Sequence, residues 1–297
     1  MDGEVLEKRF GGTQLKSDYA GLKKAKAVIL QCPYEATACY KKGTVKGPEA
    51  VLDASEHLEL FDEELKTETY KIGIYTAPPM DIREMKPESM ITAVKKQALE
   101  VYDSDKFPVA IGGEHSISIG AVNAAAQTFK DVAVLHFDAH HDLRDEYDGT
   151  KYSHACAARR FLDSCPVVQV GTRSLSREEQ DFINTNPPNL KTVNVYDILD
   201  TAVWKETILK SLPDNIYLSI DMDVFDPSVM PAVGTPEPGG MGWYEFMELT
   251  RMVSKYKRIV GLDVVELMPM DGFIAPDFFT AKLIYRMLGY AFYGGKR

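Results

Sequence analysis

The segment Phe137–Asp142, FDAHHD, decides how the rest of the chain is interpreted. The apolar run that precedes it, Val132–Phe137, has the character of a buried strand, and Asp138, His140 and Asp142 then follow at alternate positions. On an extended backbone, side chains two residues apart point the same way, so these three groups are expected to converge. Two carboxylates and an imidazole converging at the end of a buried strand are typical of a metal site.

Short runs rich in valine, isoleucine and leucine recur along the chain and predict about eight strands. The predicted strands are Ala27–Gln31, Lys71–Ile74, Pro108–Ile111, Val132–Phe137, Val167–Val170, Thr192–Val195, Ile216–Ile220 and Ile259–Val265. Many are separated by stretches with helical spacing, such as Pro87–Tyr102, Trp243–Tyr256 and Phe278–Tyr290. The expected fold class is α/β, a three-layer α/β/α sandwich with a mainly parallel sheet, in one domain over residues 1–297.

The composition excludes several classes of protein. A hydrophobic content of 45% supports a large core, and the net charge of -10 argues against nucleic acid or an anionic membrane as a partner. The N-terminal stretch has no signal-peptide core, and no run approaches the ~20 apolar residues of a membrane span. The four cysteines form no C-x-x-C pair, so we expect free thiols and a cytoplasmic protein.

Polar motifs directly follow four of the predicted strands. They are GGEHS (Gly112–Ser116), DAHHD, DMD (Asp221–Asp223) and the end of GLDVVEL (Gly261–Leu267). The carboxyl ends of parallel strands meet at one edge of the sheet, where ligands bind in open α/β folds. The four motifs are therefore expected to share one crevice.

Six residues of these motifs are candidate metal ligands. They are His115, Asp138, His140, Asp142, Asp221 and Asp223. Four carboxylates and two neutral imidazoles carry a formal charge of minus four, which two divalent cations neutralise. A thiolate-free, oxygen-rich set favours manganese or magnesium, and the imidazoles shift the preference to manganese. Two such ions can share a water and lower its pKa toward neutrality, which predicts a hydrolase.

Three more residues are candidates for contacts with the substrate. Asp263 and Glu266 lie at the end of the last predicted strand, and its alternation predicts that at most one of them faces the crevice. A carboxylate there could bind a planar cation in a bidentate manner. His154 is available as a proton donor, but its position in the sequence suits a packed histidine equally well.

The ordered motifs GGEHS, DAHHD, SIDMDVFDP, GTPEPGG and GLDVVELMP together resemble those of the ureohydrolase superfamily, which includes arginases and agmatinases. The resemblance runs from about Val28 to the C-terminal helix. It implies the arginase-like α/β/α fold, two Mn²⁺ ions per chain, and hydrolysis of a guanidino compound to urea and an amine. It also implies a homo-oligomer, either a trimer or a hexamer.

The resemblance also implies a role for each matching residue. One manganese would be held by His115, Asp138, Asp142 and Asp221, and the other by Asp138, His140, Asp221 and Asp223. Glu266 matches the glutamate that holds the guanidinium, and His154 matches the histidine that passes protons to the departing amine. Thr235, in GTPEPGG, lies where the family places a threonine near the substrate.

The segment between Asp142 and His154 favours agmatine over arginine as substrate. Arginases carry an asparagine and a SGNLHG-like stretch here, whereas this chain has LRDEYDGTKYSHAC. The acids Asp145, Glu146 and Asp148 would repel the carboxylate of arginine and attract the cationic tail of agmatine. The expected reaction is the conversion of agmatine to putrescine and urea.

The sequence leaves other substrates and a non-enzymatic role as alternatives. Ala155 and Ala232–Val233 depart from the agmatinase pattern, so a longer guanidine such as aminopropylagmatine fits as well. Arginase and guanidinobutyrate hydrolase are further alternatives within the superfamily. A homologue that binds metal but has lost catalysis is the alternative outside enzymes. The four cysteines, Cys32, Cys39, Cys156 and Cys165, receive no role.

Overall fold

A computed structural model describes residues 8–200 and 203–295 and contains one eight-stranded sheet. The strands are β1 (Ala27–Cys32), β2 (Ile74–Thr76), β3 (Phe107–Gly112), β4 (Val132–Phe137), β5 (Val167–Thr172), β6 (Leu190–Asn194), β7 (Asn215–Asp221) and β8 (Arg258–Val265). They lie in the order β2-β1-β3-β8-β7-β4-β5-β6, and each neighbouring pair runs parallel. The N-terminal residues 1–7, where the sequence predicted no signal peptide, lie outside the described residues.

Helices cover both faces of this sheet. Those in the described residues are α1 (Ser17–Ala20), α2 (Gly47–Ser55), α3 (Pro87–Asp103), α4 (Ile117–Thr128), α5 (Ala157–Phe161), α6 (Arg177–Asn184), α7 (Val195–Asp200), α8 (Trp204–Ser211), α9 (Trp243–Tyr256) and α10 (Ala275–Tyr293). Residues of α2, α8, α9 and α10 pack in one hydrophobic core, and those of α3, α4 and α5 pack in another. The predicted α/β/α sandwich is confirmed.

Alternate residues of each buried strand belong to the two different cores. In β1, Ala27 and Ile29 pack on one side, whereas Val28 and Leu30 pack on the other. All six residues of β1 are buried, and burying a side chain such as Ile29 contributes about 1.5–3 kcal/mol. The continuous apolar runs in the sequence therefore have a physical cause, because both faces of the sheet are covered.

The second predicted strand, Lys71–Ile74, is wrong in its position. Thr69–Ile72 forms a 3₁₀ helix instead, and β2 begins only at Ile74. Between them Gly73 has φ of 80°, and a Cβ there would lie 2.8 Å from the backbone of Ala25. The apolar residues alone did not reveal this turn, which requires a glycine.

Among the described residues, no helix has the length and apolar character that crossing a membrane would need.

Candidate metal centre

The six predicted ligands come together at the carboxyl-terminal edge of the sheet. His115 lies in the turn between β3 and α4, Asp138 follows β4, and Asp221 ends β7. The expected extended backbone does not continue through FDAHHD, because β4 ends at Phe137 and Asp142 has φ of 51°. Convergence is therefore produced by a loop that includes a left-handed residue, a conformation uncommon outside glycine.

Four of the six ligands meet around the Nδ1 atom of His115. This nitrogen lies 3.1 Å from Asp138 Oδ2, 3.3 Å from Asp142 Oδ2 and 3.2 Å from Asp221 Oδ2. Neighbouring ligand atoms around an octahedral ion at ~2.1 Å are about 3 Å apart, which is the spacing found here. The four residues match the first of the two predicted ligand sets.

The second predicted set is centred on His140. Its Nδ1 atom lies 2.8 Å from Asp223 Oδ2 and 3.6 Å from Asp138 Oδ1. Asp138 thus directs Oδ2 toward His115 and Oδ1 toward His140. Asp221 is held in the same turn, because its Oδ1 accepts a hydrogen bond of 2.8 Å from the Asp223 main-chain N–H.

The hydrogen bonds behind His115 determine which of its nitrogens carries a proton. The Ser219 hydroxyl donates to Asp263 Oδ1 at 2.9 Å, so it can only accept from His115 Nε2, which lies 3.0 Å away. In the neutral ring, the lone pair on Nδ1 then faces the three carboxylates. A cation among these atoms would remove the repulsion, and such hydrogen bonds behind a histidine are typical of metal ligands.

The charge of the cluster also fits a bound cation. Burial, together with the neighbouring Asp138, raises the pKa of Asp142 to about 6, and burial with Asp223 and Asp138 raises the pKa of Asp221. Among the described residues, His115 Nδ1 and Asp138 Oδ2 have no partner in hydrogen-bonding geometry, although both are buried. Buried polar atoms left this way are costly, and divalent ions would satisfy them.

His136 supports the cluster and was missed by the sequence analysis. It is buried in β4, and its Nε2 lies 3.0 Å from Asp138 Oδ2. The amide nitrogen of Gln169 donates to the His141 carbonyl at 2.7 Å and lies 3.1 Å from His136 Nδ1. His136 Nδ1 must therefore accept, which leaves the proton on Nε2, toward Asp138. The alternation Asp138, His140, Asp142 extends back to His136, and this was the overlooked signal.

Replacing His136 with phenylalanine is expected to weaken metal binding about 10- to 100-fold, the usual cost of losing a group that orients a ligand. The ring would keep its contact with Phe161, whose centroid is 5.8 Å away, but the imidazole nitrogen 3.0 Å from Asp138 Oδ2 would be lost. Titration of the metal-free protein with Mn²⁺ measures the effect. His57→Phe is the matched control, since His57 lies outside the cavity lining. Equal metal affinity in both variants would contradict this role for His136.

A cavity of about 220 Å³ opens directly above the cluster. Its lining includes three further residues predicted from the sequence, namely His154, Thr235 and Glu266. Cys39 and Tyr40, in the loop after β1, are exposed and also line it, so the cavity reaches the protein surface. These three residues thus face the same space as the candidate metal ligands.

Of Glu266 and Asp263, only Glu266 faces the cavity, in agreement with the prediction that at most one of them would. Asp263 is fully buried and accepts from Ser219, whereas Glu266 lines the cavity. Glu266 follows the end of β8 with φ of 65°, and its Oε1 accepts a hydrogen bond of 2.6 Å from the His115 main-chain N–H. Burial, with the nearby Glu114 carboxyl, raises the pKa of Glu266, and a cation beside it would favour the ionised carboxylate.

Asp145 and Glu146, predicted to contact the substrate, do not line the cavity. The carboxylate of Asp145 accepts a hydrogen bond of 2.7 Å from Arg160, and Glu146 is exposed to solvent. The predicted attraction of a cationic tail by this segment does not fit that placement. Instead, Arg144 and Tyr147 of the same segment face the cavity, with the guanidinium of Arg144 5.0 Å from the Tyr147 ring centroid.

Arg173, which follows β5, is a second residue that sequence analysis missed. Its guanidinium donates to main-chain carbonyls on both sides of the site, including Asp223 at 2.8 Å and Glu237 at 2.9 Å. It therefore ties the turn that carries two ligands to the loop that carries Thr235. No pattern in the sequence marks an arginine whose partners are all carbonyl groups.

The chain is similar in sequence and in structure to known proteins over most of its length. A sequence model of the arginase family matches residues 25–289. The chain is 40% identical over 291 residues to the N(1)-aminopropylagmatine ureohydrolase of Synechocystis, covering 95% of this chain and 94% of that protein. It is 31% identical over 271 residues to the agmatinase of Pyrococcus horikoshii, with coverages of 90% and 93%. The crystal structure of the agmatine ureohydrolase of Thermoplasma volcanium aligns with a TM-score of 0.85 at 30% identity, over 96% of this chain and 94% of the other.

Proposed function

The chain belongs to the arginase family of hydrolases that act on C–N bonds in linear amidines, and we propose that its substrate is N(1)-aminopropylagmatine, cleaved to urea and a polyamine. The observation that carries the proposal is the 40% identity to an N(1)-aminopropylagmatine ureohydrolase along nearly the full length of both proteins. Identity to the agmatinase of Pyrococcus horikoshii is lower, at 31%. Agmatine, which the sequence analysis favoured, becomes the second candidate.

The cavity provides independent support for a substrate with a long tail. Its walls include exposed side chains such as Tyr40 and Leu175, which are 71% and 42% exposed. A tail could therefore extend from the cluster toward the surface. Tyr147 lies along this path with the guanidinium of Arg144 5.0 Å from its ring centroid, so the ring offers contact surface to the tail beside that cation.

We propose that the six ligands hold two Mn²⁺ ions. The oxygen-rich donor set with two imidazoles suits manganese, and the cluster of carboxylates around His115 and His140 needs the positive charge. When bound there, the pair of ions supplies a water acidic enough to serve as nucleophile near neutral pH.

The residues of the chain itself bind the substrate and move protons. Glu266 would accept hydrogen bonds from the guanidinium and hold its carbon above the metal cluster. His154 would pass a proton to the departing amine. Burial, with the nearby His115 and His140, lowers the pKa of His154 to about 4, so its imidazole is neutral at pH 7.

Urea release by the manganese-loaded protein tests the substrate. We expect kcat/KM for aminopropylagmatine to exceed that for agmatine by about 10-fold or more, since a tail with further cationic groups gains contacts along the cavity wall. Arginine and guanidinobutyrate, offered at matched concentrations, serve as controls that carry a carboxylate. Equal or faster hydrolysis of agmatine would contradict the proposal and favour an agmatinase.

Three further predictions from the sequence remain predictions. They are the single domain over residues 1–297, the cytoplasmic location and the trimer or hexamer. Sedimentation velocity on the metal-loaded protein would measure the last of these.

A further inference from the structure

Thr37 connects a buried carboxylate to His154. It lies in the loop after β1, and both its main-chain N–H and its hydroxyl donate to Glu114, at 2.7 Å each. The same hydroxyl oxygen accepts a hydrogen bond of 3.0 Å from the His154 main-chain N–H and lies 3.1 Å from His154 Nδ1. Thr37 thus links the β1 loop, the turn after β3 and the segment that carries His154.

The single proton of the Thr37 hydroxyl determines the direction of these hydrogen bonds. Because that proton is donated to Glu114, the oxygen can only accept from the His154 ring. Nδ1 of His154 must then carry the ring proton, which leaves Nε2 unprotonated. The other neighbour of Nδ1 is Ser153 Oγ at 3.2 Å, a hydroxyl able to donate or accept, so it does not alter this assignment.

Glu114 is well placed to hold the Thr37 hydroxyl in this orientation. It is fully buried, and it accepts a third hydrogen bond of 2.6 Å from the hydroxyl of Ser116. In its ionised form Glu114 can only accept, so the Thr37 main-chain N–H and the two hydroxyls all donate to it. The arrangement resembles a carboxylate orienting a catalytic imidazole, with a threonine hydroxyl placed between them.

We propose that Thr37, held by Glu114, is a positioning residue that fixes the ring orientation and the tautomer of His154 for proton transfer. This inference rests on the proposed role of His154 in passing a proton to the departing amine. Thr37 contacts none of the six metal ligands through the hydrogen bonds described, so its effect is expected on turnover and not on metal content.

Two substitutions at Thr37 separate the hydroxyl from the shape of the side chain. Thr37→Val keeps the branched shape and removes the hydroxyl, whereas Thr37→Ser keeps the hydroxyl. We expect Thr37→Val to lower kcat about 10- to 100-fold, less than the ~100- to 10,000-fold attributed to acid–base catalysis because the imidazole itself remains, with KM and manganese content unchanged. Thr37→Ser should recover kcat to within about threefold of the unmodified enzyme. Equal kcat in the two variants, or loss of manganese from Thr37→Val, would overturn the proposal.

A double-mutant cycle with His154→Ala distinguishes positioning from general structural support. If Thr37 acts only through the imidazole, Thr37→Val should cause no further loss of kcat once His154 is absent. If the loss of kcat in the double variant equals the product of the losses in the two single variants, the proposal is overturned. The cycle also separates the two hypotheses: an undiminished kcat for His154→Ala would refute the proposed role of His154 itself. If His154→Ala lowers kcat but Thr37→Val does not, only the role of Thr37 is refuted.

Discussion

Asp138→Ala is expected to abolish urea release, with a loss of more than about 1,000-fold, and to release bound manganese at the same time. Asp138, which belongs to both predicted ligand sets, contacts both halves of the cluster, because Oδ2 lies 3.1 Å from His115 Nδ1 and Oδ1 lies 3.6 Å from His140 Nδ1. Its removal would leave both proposed ions short of a ligand, although His115 would keep Asp142 and Asp221 beside it and His140 would keep Asp223.

Elemental analysis after gel filtration and the urea assay measure the two effects on the same sample. Asp163→Ala is the matched control, since Asp163 is an exposed aspartate 3.4 Å from Arg160 and such pairs contribute only about 0–1 kcal/mol. Retention of two ions and full activity by Asp138→Ala would show that the metal site has been assigned to the wrong residues.

Glu266→Gln is expected to produce the second large effect, a fall in kcat/KM of about 30- to 5,000-fold with unchanged metal content. Losing one member of a buried, hydrogen-bonded charge pair typically costs about 2–5 kcal/mol, which corresponds to that range. The amide oxygen of glutamine could still accept from the His115 main-chain N–H, so the local backbone contact would be kept. Only the negative charge opposite the guanidinium would disappear.

Asp263→Asn provides the informative comparison for Glu266→Gln. Asp263 lies in β8, three residues before Glu266, but it is buried away from the cavity and accepts a hydrogen bond from Ser219, the partner of His115. We expect this variant to weaken metal binding, whereas Glu266→Gln should leave the metal affinity intact. A loss of manganese in Glu266→Gln would mean that Glu266 belongs to the metal cluster.

The fold and the convergence of the six candidate ligands could be predicted because both depend on order along the chain. Continuous apolar runs mark strands buried on both faces, and a parallel sheet places the residues after each strand at one edge. His115, Asp138 and Asp221 each come after such a run or end it, and the structure brings them within hydrogen-bonding distances. The left-handed φ of Asp142 could not be predicted, yet the loop still directs its carboxylate to His115.

The walls of the cavity were predicted less well, because they depend on contacts between distant residues. Asp145 appeared to be a free acid, but Arg160, fifteen residues later, neutralises it. Thr37 carried no signal at all, since its importance comes from Glu114 and His154, which lie 77 and 117 residues away. Patterns in a sequence report which face a residue occupies, not which partner it meets.

The position of β8 has a consequence for the assembly of the sheet. It is the last of the eight strands along the described residues, yet it lies in the middle of the sheet, between β3 and β7. Within the sheet, residues 258–265 join the strand that precedes His115 to the strands that precede or carry Asp138 and Asp221. Until this segment pairs, the strands form two separate groups, β2-β1-β3 and β7-β4-β5-β6. A chain truncated before β8 would therefore have no continuous sheet, and its candidate ligands would lie on two separate halves.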